Sequence, residues 1–219
     1  TFTRFLKFIV TALLPVAAFG QQTDYTLALN TGKFVPAENV TTVSKQSDVF
    51  QRTYFAGKNY LVLQFTAIPT QAEKDRLTAA GIVLIDYLPK NAYTAAVPAG
   101  LDWTQFRSFA LRSVLYLTAD QKAYLPVLDG KAPQHAITEQ GYVNLQVLSY
   151  EKLSSSQIVE LVSSVAGRVI NEEPMFRMFS IRVPKENVRR LAELPFIQWI
   201  EFADPPNQPE NKPGVTQHH

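Results

Sequence analysis

The hydrophobic positions of this chain follow one order of elements twice. The first copy starts with the apolar run Tyr60-Leu-Val-Leu-Gln-Phe65 and the second with Tyr142-Val-Asn-Leu-Gln-Val147. In each copy the pattern predicts a strand, a helix ended by glycine (Gly81 or Gly167), two β-like runs, a second helix and a final strand. Repetition of a whole unit predicts two globular units rather than a solenoid.

The order β-α-β-β-α-β is that of a ferredoxin-like unit. We therefore predict an α+β fold of two tandem ferredoxin-like units, each a four-stranded antiparallel sheet with two helices on one face. The predicted divisions are a signal peptide at 1–20, an extended arm at 21–58, the first unit at 59–122, a linker at 123–141, the second unit at 142–204 and an extended Pro-rich tail at 205–219.

Local patterns refine this prediction. Capping boxes are expected at Thr70 with Glu73 and at Ser154 with Gln157, each before a helix. The second helix of the first unit is predicted to start at Asp102 and to bury Trp103, Phe106 and Ala110. In the second unit, the first helix carries an apolar stripe of Ile158, Leu161, Val162 and Val165, and strict alternation over Phe179–Val183 predicts a strand with Phe179, Ile181 and Val183 inward.

Composition removes several classes of function. The chain has 219 residues, 46% of them hydrophobic, so it can bury a core in each unit. A net charge of +2 gives no support for a nucleic-acid partner. The absence of cysteine excludes disulfides, thiolate catalysis and cysteine metal sites.

The first twenty residues have the pattern of an export signal. Arg4 and Lys7 precede a short apolar run, and Ala18-Phe19-Gly20 has the spacing of a cleavage site. The run is too short to span a bilayer comfortably. We expect a protein that is secreted or periplasmic after removal of this segment, with no other membrane association.

Catalytic chemistry is scarce in the sequence. The histidines are His135, in a Pro- and Gly-containing segment, and His218 and His219, and the motif Gly-x-Ser-x-Gly is absent. Glu172 and Glu173 are adjacent, so on a strand their side chains point to opposite faces. Phosphate-binding glycine motifs are also absent. We predict no catalytic residue, no cofactor and no metal site in this chain.

Two segments carry a resemblance to a known family. Tyr60–Phe65 followed by Gly81-Ile-Val-Leu-Ile-Asp-Tyr-Leu-Pro-Lys-Asn-Ala-Tyr93 resembles the N-terminal pro-region of large secreted subtilisin-family serine proteases of Bacteroidota-type bacteria. Pro213-Gly-Val-Thr-Gln-His218 is similar to the entry into the mature protease in that group. The resemblance implies a chain that is not itself an enzyme, but an intramolecular chaperone and inhibitor of a subtilisin-like domain encoded downstream.

The resemblance also implies where such a domain would bind. In related pro-regions, the sheet face without helices packs on the protease and the tail enters the active-site cleft. In this sequence the corresponding outward residues of the second unit are Tyr142, Asn144, Gln146, Met178, Ser180, Arg182 and Trp199. The cleft-binding tail residues are Asn211, Lys212, Gly214, Val215 and Thr216.

Two other interpretations of the sequence stay open at this point. One is a free-standing exported binding or scaffold protein built from tandem ferredoxin-like units. The other is a hydrolase that uses carboxylates such as Asp75, Asp86, Asp120 or Glu172. The sequence leaves undecided which unit would dock on a protease and which substrates that protease would cleave.

Overall fold

The computed structural model describes residues 23–43, 47–106, 109–137 and 139–205. This part of the chain is an α+β protein with eleven strands in three antiparallel sheets and six helices. The predicted signal peptide, most of the predicted tail, His218 and His219 lie outside the described residues. Among the described residues, no helix combines the length and the apolar character that a membrane crossing requires.

The elements follow each other along the chain with these bounds: β1 Leu27–Leu29, β2 Gly32–Phe34, α1 Ser47–Thr53, β3 Tyr54–Phe55, β4 Lys58–Phe65, α2 Gln71–Ala79, β5 Val83–Leu88, β6 Ala92–Pro98, β7 Leu111–Leu115, α3 Ala119–Lys122, α4 Leu125–Leu128, β8 Tyr142–Ser149, α5 Ser155–Ser164, β9 Arg168–Glu173, β10 Met178–Pro184, α6 Val188–Ala192 and β11 Ile197–Phe202. Short 3-10 turns lie at Trp103–Phe106, Gln134–Ala136 and Lys185–Asn187.

The second sheet has the strand order β11-β8-β10-β9, with every neighbouring pair antiparallel. The inward residues of β8 and the buried sides of α5 and α6 form one core. It includes Val143, Leu145 and Val147 of β8, Ile158 and Val162 of α5, and Leu191 of α6. The predicted alternation over Phe179–Val183 is confirmed, because Phe179, Ile181 and Val183 are buried and the residues between them are partly exposed. Along α5, Leu161 lies at the flank of the apolar stripe, whereas Ile158 and Val162 are fully buried.

The first sheet has the order β3-β4-β6-β5, and β7 also pairs with β4. Helix α2 begins at the predicted capping box, in which Thr70 and Glu73 bond each other's backbone N–H. It ends before Gly81, whose φ of +80° is the left-handed conformation expected of a glycine stop.

Gly167 has a different role from the one predicted. The residue with positive φ after α5 is Ala166, at +58°. A Cβ on Gly167 would lie 2.8 Å from Cγ1 of Val162, so glycine is needed there because the chain passes close to the helix.

The predicted second helix of the first unit is wrong. Trp103–Phe106 is a single 3-10 turn, and the Asp102 side chain accepts hydrogen bonds from the backbone N–H and hydroxyl of Thr104. Strand β7 already begins at Leu111, which leaves room for little more than one turn after Asp102. Trp103 and Phe106 are buried as expected and belong to the core on the α2 side of the first sheet.

The N-terminal arm is packed against the first unit, but it is not extended. The hairpin β1–β2 places Leu27 against Val62 on the sheet face away from α2. Val43 and Val49, from the arm and from α1, join the core on the α2 side. The first sheet is therefore covered on both faces.

The segment between the two units is also folded. Val127 and Leu128 of α4 belong to the core of the second unit, and Ala123 forms a parallel bridge with Ile200 of β11. Although the prolines and glycine of residues 123–141 suggested a simple connection, this segment packs on β11 and α6.

The two units meet at a junction of stacked rings and ion pairs. The rings of Tyr60 and Tyr150 are parallel within 4°, with centroids 5.0 Å apart. Glu151 accepts hydrogen bonds from Lys58 at 2.8 Å and from the Tyr60 hydroxyl at 2.9 Å. Burial and the Glu151 carboxylate raise the pKa of Tyr60, so this phenol stays protonated as a donor.

A second set of contacts lies beside the first. The Asp86 carboxylate of β5 pairs with Arg177 at 3.1 Å and accepts a hydrogen bond from Gln198 at 2.9 Å. The junction thus combines one aromatic contact with two sets of polar bonds between the units.

Candidate functional site

One side of the second sheet lies away from α5 and α6, and we call it the open face. It is formed by the outward residues of three strands: Tyr142, Asn144, Gln146, Met178, Ser180, Arg182 and Trp199. The antiparallel register aligns Arg182 with Asn144, and Ser180 with Gln146. All seven are partly exposed, so the structure places the residues predicted for docking on a single surface.

Local sequence explains how each strand presents these side chains. In β8 every second residue, beginning at Val143, is buried against the helices, so the alternate residues point outward. In β11 the register shifts between Ile197 and Trp199. This bulge keeps Ile197 inward and places Trp199 opposite Leu148 on the open face.

One end of the open face is a polar cluster. Nε of Arg182 donates to Oδ1 of Asn144 at 2.9 Å. Both Arg182 and Arg168 pair with one carboxylate oxygen of Glu139, at 3.3 and 3.1 Å. The Arg168 guanidinium lies 6.0 Å from the centre of the Tyr142 ring. Two guanidiniums share this carboxylate, and Glu201, exposed opposite Gln146, adds a second carboxylate to the same face.

The other end is mainly apolar, with the exposed Glu173 opposite Met178 at its edge. Trp199, Leu148 and Met178 occupy neighbouring positions on three strands. The Tyr124 ring meets Trp199 edge-on at 5.1 Å, and the Tyr124 side chain is itself about half exposed. Large exposed side chains, Met175 and Phe176, lie in the turn directly before β10. Exposed aromatic and Met side chains beside arginine are typical of protein-binding surfaces.

Sequence reasoning missed several members of this surface. Leu148 continues the alternation of β8 by one residue, so the pattern contained the signal. Glu139 and Tyr124 come from the segment interpreted as a linker, and nothing local marked them as neighbours of the sheet. Arg168 lies on the edge strand β9, opposite Arg182.

The predicted tail residues cannot be placed on this surface. Asn211, Lys212, Gly214, Val215 and Thr216 lie outside the described residues.

The carboxylates considered for a hydrolase each have a structural partner of their own. Asp75 accepts from the Gln71 side chain, and Asp120 pairs with Arg189 at 2.7 Å. Asp86 belongs to the junction described above. The Glu172 side chain accepts hydrogen bonds from the hydroxyl and backbone N–H of Ser155, which lower the pKa of that carboxyl. Each of the four carboxylates therefore bonds to a different partner, and these contacts do not pair any two of the carboxylates with each other.

Other potential ligands are equally dispersed. His135 is exposed in a 3-10 turn. Over the residues that the structure describes, no three His, Asp or Glu side chains come together in a way that could hold a metal ion.

Comparison with known proteins gives one partial match. Residues 28–118 match the family model described as a domain of unknown function, DUF8729. The matched range runs from the β1–β2 hairpin to the residue before α3, so it coincides with the first sheet and the elements that cover it. No curated protein and no solved structure matches the chain.

Proposed function

We propose that this chain is the non-catalytic pro-region of a secreted subtilisin-like serine protease, and that it assists folding and inhibits the catalytic domain encoded downstream. In this proposal the two units are a tandem ferredoxin-like pair. Export through the predicted signal at residues 1–20 is part of the same proposal.

The observation that carries the proposal is the contrast between the two sheets. The first has both faces covered by its own chain, whereas the second keeps an open face of aromatic, Met and Arg side chains. A sheet with one uncovered face of this composition is suited to packing against a protein partner.

The charge of the open face defines the partner surface further. Arg168 and Arg182 lie beside Glu139 and are at least partly exposed, so a partner with hydrogen-bond acceptors opposite this end would be favoured. The row of Trp199, Leu148 and Met178 would bury apolar surface at the other end. The tail, leading from the end of β11, would then enter the active-site cleft as an extended segment.

Inhibition of the downstream protease domain tests the proposal. The purified chain should inhibit that domain in trans, and Tyr142→Ala combined with Arg182→Glu should weaken inhibition at least tenfold. A matched control combines Tyr87→Ala and Arg190→Glu, since Tyr87 and Arg190 are exposed and lie away from the open face. The control should inhibit as the native chain does.

The tail is tested separately. Deletion of residues 205–219 should relieve active-site blockage while binding, measured by titration calorimetry, persists. Equal inhibition by the open-face variant and its control would move the docking site elsewhere. Absence of any binding by the native chain would favour the free-standing scaffold.

A further inference from the structure

A cavity of about 250 Å³ lies at the junction between the two units. The first unit and α1 contribute Arg52, Tyr60 and Tyr116, and the second unit contributes Tyr150 and Glu193. Lys122, on α3, reaches the cavity between them. Three tyrosine rings, Leu117, Ala119 and Pro195 form the apolar part of the wall, and the polar part comes from Arg52, Thr53, Thr118, Lys122 and Glu193.

Lys122 is buried without a counter-ion. Its side chain is 5% exposed, and Nζ donates to the Leu194 carbonyl oxygen at 3.2 Å. Among the described residues no carboxylate lies within ion-pair distance of this nitrogen. An ammonium has three donors, so this contact leaves two of them without a protein acceptor.

Desolvation accounts for the acidity of this group. Burial lowers the pKa of Lys122 to about 7, and the charge of the nearby Glu193 opposes the shift only in part. The charged form is therefore present near neutral pH, although no carboxylate of the described residues lies within ion-pair distance of it.

Tyr150 adds a second donor to the cavity. Its ring is buried and stacked on Tyr60, yet its hydroxyl makes no hydrogen bond within the part of the chain that is described. The Tyr60 hydroxyl, by contrast, is already bonded to Glu151. Burial raises the pKa of Tyr150, so its hydroxyl remains a donor over the physiological range.

We propose that this cavity binds a small aromatic or aliphatic carboxylate, which pairs with Lys122 and the Tyr150 hydroxyl while its apolar part lies against the tyrosine rings. A carboxylate supplies the missing counter-ion and an acceptor for the hydroxyl. The tyrosine rings, Leu117 and Pro195 can contact a hydrophobic body, which a compact inorganic anion lacks. This inference is independent of the proposed protease partner.

The site should depend on pH through Lys122. The groups that face it are Glu193, Arg52 and the phenols of Tyr60, Tyr116 and Tyr150. Since the carboxylate pairs with the ammonium, affinity should be highest below pH 7. Above it, affinity should fall by up to tenfold for each pH unit, because the amine must first take up a proton.

Sodium benzoate is the probe that tests this site on the full chain, with sodium chloride at equal ionic strength as the reference. Titration calorimetry should show saturable binding at pH 6 that is at least tenfold weaker at pH 9. Lys122→Met should abolish binding, and Tyr150→Phe should weaken it at least threefold. Lys131→Met, at a lysine whose side chain is 73% exposed, is the matched control and should leave binding unchanged.

Folding of the variants is checked by circular dichroism and thermal unfolding. Lys122→Met should fold, because methionine fills similar space without a desolvated amine. Equal binding of benzoate by Lys122→Met, or by the native chain at pH 6 and pH 9, would overturn the proposal. So would absence of benzoate binding at pH 6, or tighter binding of inorganic phosphate than of benzoate.

Discussion

Strands β4 and β8 occupy the same place in the two sheets, but they differ in what covers them. In β4, Val62 points away from α2 and is fully buried beneath Leu27 of the hairpin. At the matching position of β8, Asn144 is partly exposed on the open face. At this matching position, valine therefore goes with the covered sheet face and asparagine with the open one.

The same comparison holds for a residue that does not change. Gln64 is completely buried, and its amide donates to the carbonyl oxygens of Tyr25 and Lys90 at 2.9 and 3.2 Å. Gln146, its counterpart, is partly exposed and accepts a hydrogen bond from Ser180 at 3.3 Å. An identical side chain anchors the arm in one unit and lines an open surface in the other.

The largest effect is expected from Val62→Asn, which gives β4 the residue of β8. Loss of the buried valine should cost roughly 1.5–3 kcal/mol, and a buried amide without a partner about 1–3 kcal/mol more. Urea denaturation should therefore show a loss of about 2.5–6 kcal/mol. A loss below 1 kcal/mol would mean that the hairpin does not seal this face in solution.

A second variant weakens the β1–β2 hairpin that covers Val62, and leaves strand β4 unchanged. Leu27→Ala removes most of a side chain that is only 2% exposed, and should cost about 2–4 kcal/mol. Thermal unfolding followed by circular dichroism measures this loss. Ala28→Gly, at the exposed neighbouring position, serves as the control and should cost clearly less.

The reverse exchange, Asn144→Val, should change stability by within about 1 kcal/mol. Arg182 loses an acceptor but keeps its ion pair with Glu139 and its access to water. Equilibrium denaturation is again the measurement. A loss above 2 kcal/mol would show that the polar cluster holds the second unit together, and would weaken its interpretation as a docking surface.

The smallest effect belongs to the solvent side of α6. Arg190 is exposed, so Arg190→Ala should stay within about ±0.5 kcal/mol of the native free energy of unfolding. The adjacent Leu191 is fully buried, and Leu191→Ala should cost about 2–5 kcal/mol. Similar values for the two variants in urea melts would mean that the inward face of this helix is assigned wrongly.

Periodicity predicted the elements that bury one regular face. The capping boxes, the alternation of β10 and the outward residues of β8 all follow from local spacing. Periodicity gave the wrong element at Trp103–Phe106, where the structure has one 3-10 turn with two buried rings. The next strand begins at Leu111, so a longer helix has no room. Helix spacing alone does not reveal how much chain is left before the next strand.

Features that depend on distant contacts were not predictable in the same way. The hairpin packs Leu27 against Val62, which is distant in the chain. The sequence around Leu27 does not indicate this contact. Glu139 enters the open face from a segment with prolines and glycine, which local rules assign to a loop. The burial of Lys122 has no local signal in the sequence, because it depends on packing between segments that are distant in the chain.

The two tryptophans make the separate units distinguishable by fluorescence. Trp103 lies in the core of the first unit, and Trp199 lies partly exposed on the open face of the second. The sequence contains two tryptophans, so replacing either one by phenylalanine leaves a chain that emits from a single unit. Emission from Trp103 would follow the opening of the first core. Emission from Trp199 would report contact with any molecule that covers the open face.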